Sequence, residues 1–176
     1  MRHELNFWVL GGDMRQGKLA QLLAEDGHRV HTYALEDGAV PALGLTAEPG
    51  LSGVEQADCV VLPLPVSSGG RLLNAPLSRL SPPITEVRAP LSPGQMLCGG
   101  RVDPVTAALA AERGLTIRDY FAREELAVAN AVPTAEGAVQ IAMEQLPITI
   151  HGARVLVVGF GRVGRALAQR LAALGA

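Results

Sequence analysis

A glycine-rich turn near the end of the sequence has the spacing that binds phosphate groups. Gly159, Gly161 and Gly164 form the pattern GxGxxG between the apolar run VLVV and the helical pattern RALAQRLAAL. The first glycine allows a tight turn, the second lets the backbone approach a pyrophosphate, and the third lets the helix pack on the strand. The amide groups at the start of the helix then face the phosphates. The turn, with Arg162 and Val163 inside it, therefore predicts a dinucleotide site.

Several points about this turn stay open at the level of sequence. An acidic residue about 20 positions after the glycines usually holds the ribose hydroxyl, and the 176-residue sequence ends before that position. NAD and NADP therefore fit equally well, and we expect the 176-residue chain alone to bind either one poorly. Arg162 suits a phosphate contact and a solvated position equally. The alternative for the whole turn is a glycine-rich connection without a ligand.

A second glycine turn, GGDMRQ at 11–16, suits a different ligand. It follows an apolar run and lacks the GxG pair, so we do not expect a nucleotide as its ligand. Arg15 beside a helix start suits a carboxylate, through a bidentate fork plus backbone donors. Asp13 is a favourable N-cap residue. Ser67, after a later apolar run, would add a hydroxyl donor to the same ligand or belong to an ordinary polar loop.

Four residues between the two turns are candidates for the substrate side of a cleft. In NAVPTAEGA, Thr134 predicts a helix N-cap with Glu136 in the first turn. Gly137 early in a helix is costly unless something approaches closely. Glu136 and His151 have side chains that can act as a general base, although His151 also fits a surface position. Capping alone explains Thr134 and Glu136, and the alternative is a position in a substrate cleft, with substrate binding by Thr134 and Gly137 and proton transfer by Glu136 or His151.

The elements that must position these residues alternate between apolar runs and helical spacing. A helix carrying Leu19, Leu22 and Leu23 ends near Asp26, and a second spans 103–113 with Asp103 as N-cap. Repeated βα units imply a parallel sheet with right-handed crossovers. Prolines rule out long elements between residues 71 and 93. Five strands are predicted, at 6–10, 29–35, 58–66, 95–99 and 116–121.

The fold class is therefore α/β, with a flavodoxin-like or Rossmann-like parallel sheet in an N-terminal domain. We expect this domain over residues 1–122, connecting helices over 123–147 interrupted at Pro133, and the first βα unit of a truncated Rossmann domain over 148–176. The strand of that last unit is expected within residues 148–158.

The composition excludes several classes of protein. Hydrophobic residues make up 48% of the sequence, charged residues 18%, and the formal net charge is −2. No basic patch suits nucleic acid and no apolar run reaches the roughly 18 residues that span a bilayer. Cys59 and Cys98 lack metal-ligand spacing and are expected to pack as small hydrophobic residues. We expect a soluble, cytoplasmic protein without a metal, a nucleic-acid partner or a membrane.

The segments GGDMRQ and REELAVANAVPTAEGAVQIAMEQLPITIHGARVLVVGFGRVGRALA closely resemble the family of the dipicolinate synthase A subunit. The resemblance covers nearly the whole sequence, and it is specific at the two ends and vague through 71–95. It implies the architecture of the 2-hydroxyacid dehydrogenases. Arg15 and 134–137 match the family's characteristic segments, and the glycines of the GxGxxG turn match its cofactor site.

The resemblance also implies a function. It implies that a dihydrodipicolinate is oxidised to dipicolinate, a dicarboxylate, with NAD or NADP as hydride acceptor. It further implies a partner, the flavoprotein-like B subunit of the enzyme, and the mother-cell cytoplasm of a sporulating bacterium. A complete family member continues through the Rossmann domain, so we expect no turnover from this chain alone.

Two other functions stay open. One is a non-catalytic module that binds a carboxylate or docks a partner, and the other is an oxidoreductase of the 2-hydroxyacid dehydrogenase type. A homo-oligomer also stays open, because an incomplete sheet pairs readily with another chain.

Overall fold

The chain folds into two compact units, residues 1–121 and 122–176, in a computed structural model that describes residues 3–37 and 44–176. Each unit has its own internal packing. None of the helices in the described ranges is long and apolar enough to cross a membrane. The predicted three-part domain division stays a prediction.

The first unit is built on a parallel sheet of six strands, and two further strands form a small antiparallel hairpin, β5 with β6. The sheet order is β3-β2-β1-β4-β7-β8, which is the order of dinucleotide-binding Rossmann domains. The order reverses between β1 and β4, where such sheets bind ligands at the carboxyl ends of the strands. The strands are β1 Asn6–Leu10, β2 Arg29–Tyr33, β3 Ala47–Glu48, β4 Cys59–Val61, β5 Ser67–Ser68, β6 Leu72–Leu73, β7 Met96–Gly99 and β8 Ile117–Asp119.

Helices connect the strands and make up most of the second unit. Three α-helices lie in the described part of the first unit: α1 Met14–Glu25, α2 Ile84–Arg88 and α3 Pro104–Ala111. The second unit contains α4 Glu124–Gln145 and α5 Arg162–Ala173, which pack against each other. Asp103 caps α3 as predicted, with its carboxylate accepting from the Thr106 amide at 2.9 Å.

The core of the first unit forms on both faces of the sheet. Trp8 and Leu10 of β1 pack into one apolar cluster, while Val9 between them packs into the other. This alternation follows from the two-residue period of a strand. Cys59 is buried in the second cluster with Cys98 packed against it, so both behave as the small hydrophobic residues expected. Burial, together with Cys98, raises the pKa of the Cys59 thiol.

The parallel α/β fold is confirmed, and three details differ from the predicted elements. The sheet has six strands rather than five, because the two-residue edge strand β3 is too short to show a period. The run 58–66 pairs as a strand only over Cys59–Val61. Pro63 and Pro65 follow, and proline has no N–H for a sheet ladder. The hairpin β5–β6 lies in the loop region that follows.

The predicted interruption at Pro133 is wrong. Helix α4 continues from Glu124 to Gln145 with Pro133 inside it, so Thr134 is not an N-cap. The Thr134 hydroxyl instead donates to the carbonyl oxygen of Asn130, one turn earlier, at 2.7 Å. Gly137 consequently lies inside the helix rather than near its start. The packing of α4 along α5 keeps the helix continuous in spite of the proline.

The strand predicted within 148–158 is not paired in the structure. Residues 122–176 are all described, and they contain two helices and no strand. The side chains of Leu156 and Val158 are 87% and 90% exposed. A strand needs a hydrogen-bonded neighbour, and this unit holds none. The apolar run 155–158 therefore has the composition of a strand but no neighbouring strand to pair with.

Candidate functional site

The turn after β1 lies where the strand order of the sheet reverses. Other groups of the protein already contact its backbone. Gly11 and Gly12 have φ angles of +60° and +91°, which favour glycine. A Cβ on Gly12 would lie 2.3 Å from Cγ of Gln16. The Gly12 amide donates to the carbonyl oxygen of Asn74 at 2.7 Å, so it is not free for a phosphate. That a nucleotide is not the ligand of this turn stays a prediction.

Arg15 lies at the start of α1, where its guanidinium already binds a carboxylate. Its Nε donates to Asp13 at 3.0 Å and its Nη2 at 2.8 Å, while the Asp13 carboxylate also accepts from the Arg15 amide as the helix cap. The side-chain hydrogen bond from Arg15 lowers the pKa of Asp13. Nη2 also lies 3.3 Å from the carbonyl oxygen of Leu64. Asp13 therefore occupies the Nε–Nη2 side of the guanidinium, and a ligand carboxylate would have to displace it or bind at Nη1.

Tyr120 was missed by the sequence reasoning and lies at the same edge of the sheet. Its hydroxyl donates to the carbonyl oxygen of Leu62 at 3.2 Å. Burial raises the pKa of Tyr120 to about 12, although Arg15 acts to lower it. The phenol is therefore neutral and able to donate a proton in a hydrogen bond. Its position at the end of the last predicted strand was the one sequence feature that pointed to it, because ligands gather at the carboxyl ends of parallel strands.

Ser67 belongs to a buried hydroxyl and carboxylate cluster. Its Oγ donates to Oδ2 of Asp103 at 2.5 Å, and the Thr106 hydroxyl donates to the same oxygen at 2.6 Å. Ser67 is 8% exposed and Thr106 is fully buried. Burial acts to raise the pKa of Asp103, but the hydrogen bonds from Ser67 and Thr106 outweigh it and the pKa is lowered. The Ser67 hydroxyl thus fixes the loop after β4 onto the start of α3.

The candidate residues of the second unit have partners within that unit. Glu136 forms an ion pair with Arg170 at 3.1 Å. His151 is exposed and lies so close to Gly175 that a Cβ there would be 2.2 Å from its Nδ1. Thr134 is exposed, with its hydroxyl bonded back to α4. No hydrogen bond among the described residues joins Glu136 to His151.

The glycine turn before α5 has the shape of a phosphate-binding turn. Gly159 has a φ angle of +94°, and a Cβ on Gly164 would lie 2.0 Å from the carbonyl oxygen of Gly159, so neither position accepts a side chain without strain. Gly161 is the N-cap of α5, and a Cβ there would meet nothing within 4 Å. The turn therefore leaves open space at its second glycine, where a pyrophosphate approaches in this motif.

Two side chains inside that turn have different surroundings. Arg162 forms an ion pair with Glu124 at the start of α4, through hydrogen bonds from both Nε and Nη2. The pair raises the pKa of Arg162 and lowers that of Glu124. Val163 is 39% exposed. Arg162 would reach a phosphate only after leaving Glu124, whereas the backbone amides of the turn need no rearrangement.

Known proteins resemble the chain over its whole length. The family model for the N-terminal domain of the dipicolinate synthase A subunit matches residues 6–121. The dipicolinate synthase A subunit of Bacillus subtilis (strain 168) is 28% identical over 176 residues, which are 98% of this chain and 59% of that protein. The chain therefore spans about three fifths of the length of this relative.

Solved structures agree with this fold. The A chain of dipicolinate synthase from Bacillus subtilis is 26% identical with a TM-score of 0.79, over 100% of this chain and 60% of that one. The dipicolinate synthase A subunit from Bacillus halodurans is 24% identical with a TM-score of 0.81, over 99% of this chain and 61% of that one, and its likeness concerns the fold.

Proposed function

The chain belongs to the family of the dipicolinate synthase A subunit, and from that premise we propose that it carries the substrate domain and the start of the cofactor domain of an NAD(P)-dependent dipicolinate synthase. The reaction is the oxidation of a dihydrodipicolinate to dipicolinate. One observation supports it above the others. The same chain joins the family's N-terminal domain to a glycine turn in which residue 164 accepts no side chain and the space beside Gly161 is open.

The residues of the turn fit a dinucleotide. Gly159, Gly161, Val163 and Gly164 would hold the pyrophosphate through backbone amides at the start of α5, and Arg162 would add a charge once it leaves Glu124. The bound nicotinamide, of NAD or NADP, supplies the hydride acceptor. This chain's contribution is to place the pyrophosphate on the helix start, where the dipole favours negative charge.

The substrate side is proposed to involve the four residues singled out from the sequence. Arg15, Ser67, Thr134 and Gly137 are its proposed binding positions. Arg15 is a cation at the edge where parallel sheets bind ligands, while the hydroxyls of Ser67 and Thr134 are engaged by Asp103 and Asn130. Ser67 and Thr134 would therefore act by holding the backbone in place.

Oxidation to an aromatic ring removes a hydride and a proton. A bound nicotinamide would supply the hydride acceptor, and the ring proton would pass to a base of the protein. We keep Glu136 and His151 as the two candidates. His151 makes no ion pair among the described residues, whereas Glu136 binds Arg170. Loss of that ion pair would be needed before Glu136 could accept the proton.

The same premise suggests a partner subunit and a cellular location for the protein. The relatives are named as the A subunit of an enzyme, which implies that a further subunit exists. We propose that this partner is the flavoprotein-like B subunit, that the complex works in the cytoplasm of the sporulating mother cell, and that a homo-oligomer is compatible with it.

The test is activity of the complete protein, expressed with its partner, on dihydrodipicolinate. NAD(P)H formation is followed by absorbance. Gly161→Val should raise the KM for the nicotinamide dinucleotide roughly tenfold or more, because the side chain fills the space for the pyrophosphate. The variant should fold, since the position is open and the φ angle of −79° suits any residue.

The matched control is Gly50→Ala, at a glycine where an added Cβ would meet nothing within 4 Å and where the φ angle is not positive. It should leave both KM and Tm unchanged. An inactive wild-type complex, or a Gly161→Val variant with wild-type kinetics, would contradict the proposed function.

A further inference from the structure

A cleft lies at the carboxyl ends of β4 and β7, beside the point where the strand order reverses. Its volume is about 530 Å³, within the range of small-molecule sites. It is lined chiefly by Pro65, Ser67, Gly70, Arg101, Asp103 and Val105. All of these residues belong to the first unit, so the cleft is complete within that unit.

Arg101 is the cation of this cleft, and it has no internal partner. Its guanidinium makes no hydrogen bond or ion pair with any residue in 3–37 or 44–176. Arg15, by contrast, gives both arms of its fork to Asp13. An arginine in a cleft without a carboxylate partner can form a bidentate pair with a ligand at no cost in protein contacts.

The backbone at Arg101 is held in a conformation that arginine does not favour. Its φ angle is +54°, in the left-handed region. The carboxylate of Asp119 holds this turn by accepting from the amides of Arg101 and Val102, each at 3.0 Å. Glycine would adopt the same angle without strain. The hydrogen bonds to Asp119 therefore fix the backbone from which the Arg101 side chain extends.

The remaining charge in the cleft is already committed. Both oxygens of Asp103 accept hydrogen bonds, Oδ1 from the Thr106 amide and Oδ2 from the hydroxyls of Ser67 and Thr106. The hydroxyl proton of Ser67 is therefore donated to Asp103 and is not available to a ligand. The amide of Val105, in the first turn of α3, has no intrahelical acceptor. Arg101 and this amide are two donors of the cleft that can bind a ligand.

We propose that this cleft binds a carboxylate group of a small organic acid, with Arg101 as its charge partner. The donors are a guanidinium and a helix start, and both favour a compact anion. Identification of that acid with the dicarboxylate substrate rests on the proposed function above. On that premise Arg101 joins Arg15 among the proposed positions for the carboxylates of the substrate.

The experiment measures binding of pyridine-2,6-dicarboxylate to the 176-residue chain by calorimetry in metal-free buffer. Arg101→Gln should weaken binding roughly tenfold or more, because the charged bidentate pair is lost. Arg101→Gly should lose the same affinity while keeping or raising Tm, since glycine relieves the φ angle of +54°. Pyridine-2-carboxylate should still bind and pyridine should not.

A matched arginine variant completes the test. Arg113→Gln, beyond the opposite end of α3, should retain wild-type affinity, and Arg15→Gln compares Arg101 with the other arginine proposed for the substrate. Undetectable binding to the wild type at millimolar ligand, or wild-type affinity in both Arg101 variants, would overturn the proposal. Loss of binding in Arg15→Gln alone would transfer the site to the turn after β1.

A failure of the proposed oxidation can be distinguished from a failure of the proposed carboxylate site. A complete protein that forms no NAD(P)H, but still binds the dicarboxylate through Arg101, would refute the oxidation and leave the carboxylate site in place.

Discussion

At the residue scale, the surroundings of each polar side chain decide what it can do. The sequence predicts that Arg15, Ser67 and Glu136 face a ligand, and each is engaged by another residue of the protein. Arg101, which no motif contains, lines a cleft and has no side-chain partner in residues 3–37 or 44–176. The type of a residue sets its chemistry, and its neighbours set whether that chemistry is available.

Asp103 provides a test of pH dependence at this scale. Hydrogen bonds from Ser67 and Thr106 lower its pKa in spite of burial, so the folded-state pKa lies below the unfolded one. Its contribution to stability is thus present above the unfolded pKa and lost as pH falls through the folded pKa. Asp103→Asn should lower the free energy of unfolding by about 1 kcal/mol at neutral pH and by less in acid.

The measurement is denaturant unfolding of the chain from neutral to acid pH. Glu25→Gln, which changes an exposed carboxylate outside the cluster, should leave the pH profile unchanged. An Asp103→Asn profile that stays parallel to that of the wild type would show that the carboxylate contributes no linked stability.

At the element scale, packing overrides local propensity in both directions. Helix α4 contains Pro133 and stays continuous, although proline removes a helical hydrogen bond. The run 155–158 has the composition of a buried strand and remains unpaired. A helix makes its hydrogen bonds within itself, so contact with α5 can compensate for the proline, whereas a strand depends on a neighbour.

Pro133→Ala tests the cost of the proline in α4. The alanine amide would donate to the carbonyl oxygen of Ala129, so we expect the free energy of unfolding to rise by roughly 1–3 kcal/mol. Thermal unfolding followed by helical circular dichroism measures the change. Val132→Ala, at an exposed neighbouring position, is the control and should change Tm little. A lower Tm for Pro133→Ala would mean that the packing of α4 requires the proline.

At the scale of the whole molecule, the two units differ in how much of their backbone is protected. Strands β1, β4 and β7 are buried and paired in the centre of a six-stranded sheet. Residues 155–158 have no ladder partner in the described chain. The first unit therefore contains a six-stranded parallel sheet, while the second holds a helix pair and a glycine turn.

Native-state hydrogen exchange of the chain should show this difference. Amides of β1 and β4 should exchange only on global unfolding, and those of 155–158 should exchange orders of magnitude faster, because they lack acceptors. Exchange rates resolved by NMR or by mass spectrometry of peptides give the comparison. Equal protection of the two segments would mean that 155–158 pairs with another strand in solution, such as one from a second copy.

The sequence by itself determined the parallel α/β class, the helix caps at Asp13 and Asp103, and the glycine turn at 159–164. These features depend on residues close together in the chain, whose hydrophobic period and backbone freedom act locally. The tertiary structure alone decided that Asp13 binds the guanidinium of Arg15, that Tyr120 and Arg101 lie at the carboxyl ends of the strands, and that Thr134 bonds inside a continuous helix. The positions of Tyr120 and Arg101 depend on which distant strands pair in the sheet. The bonds of Arg15 and Thr134 join residues two and four positions apart, and they depend on where the surrounding helix begins and continues.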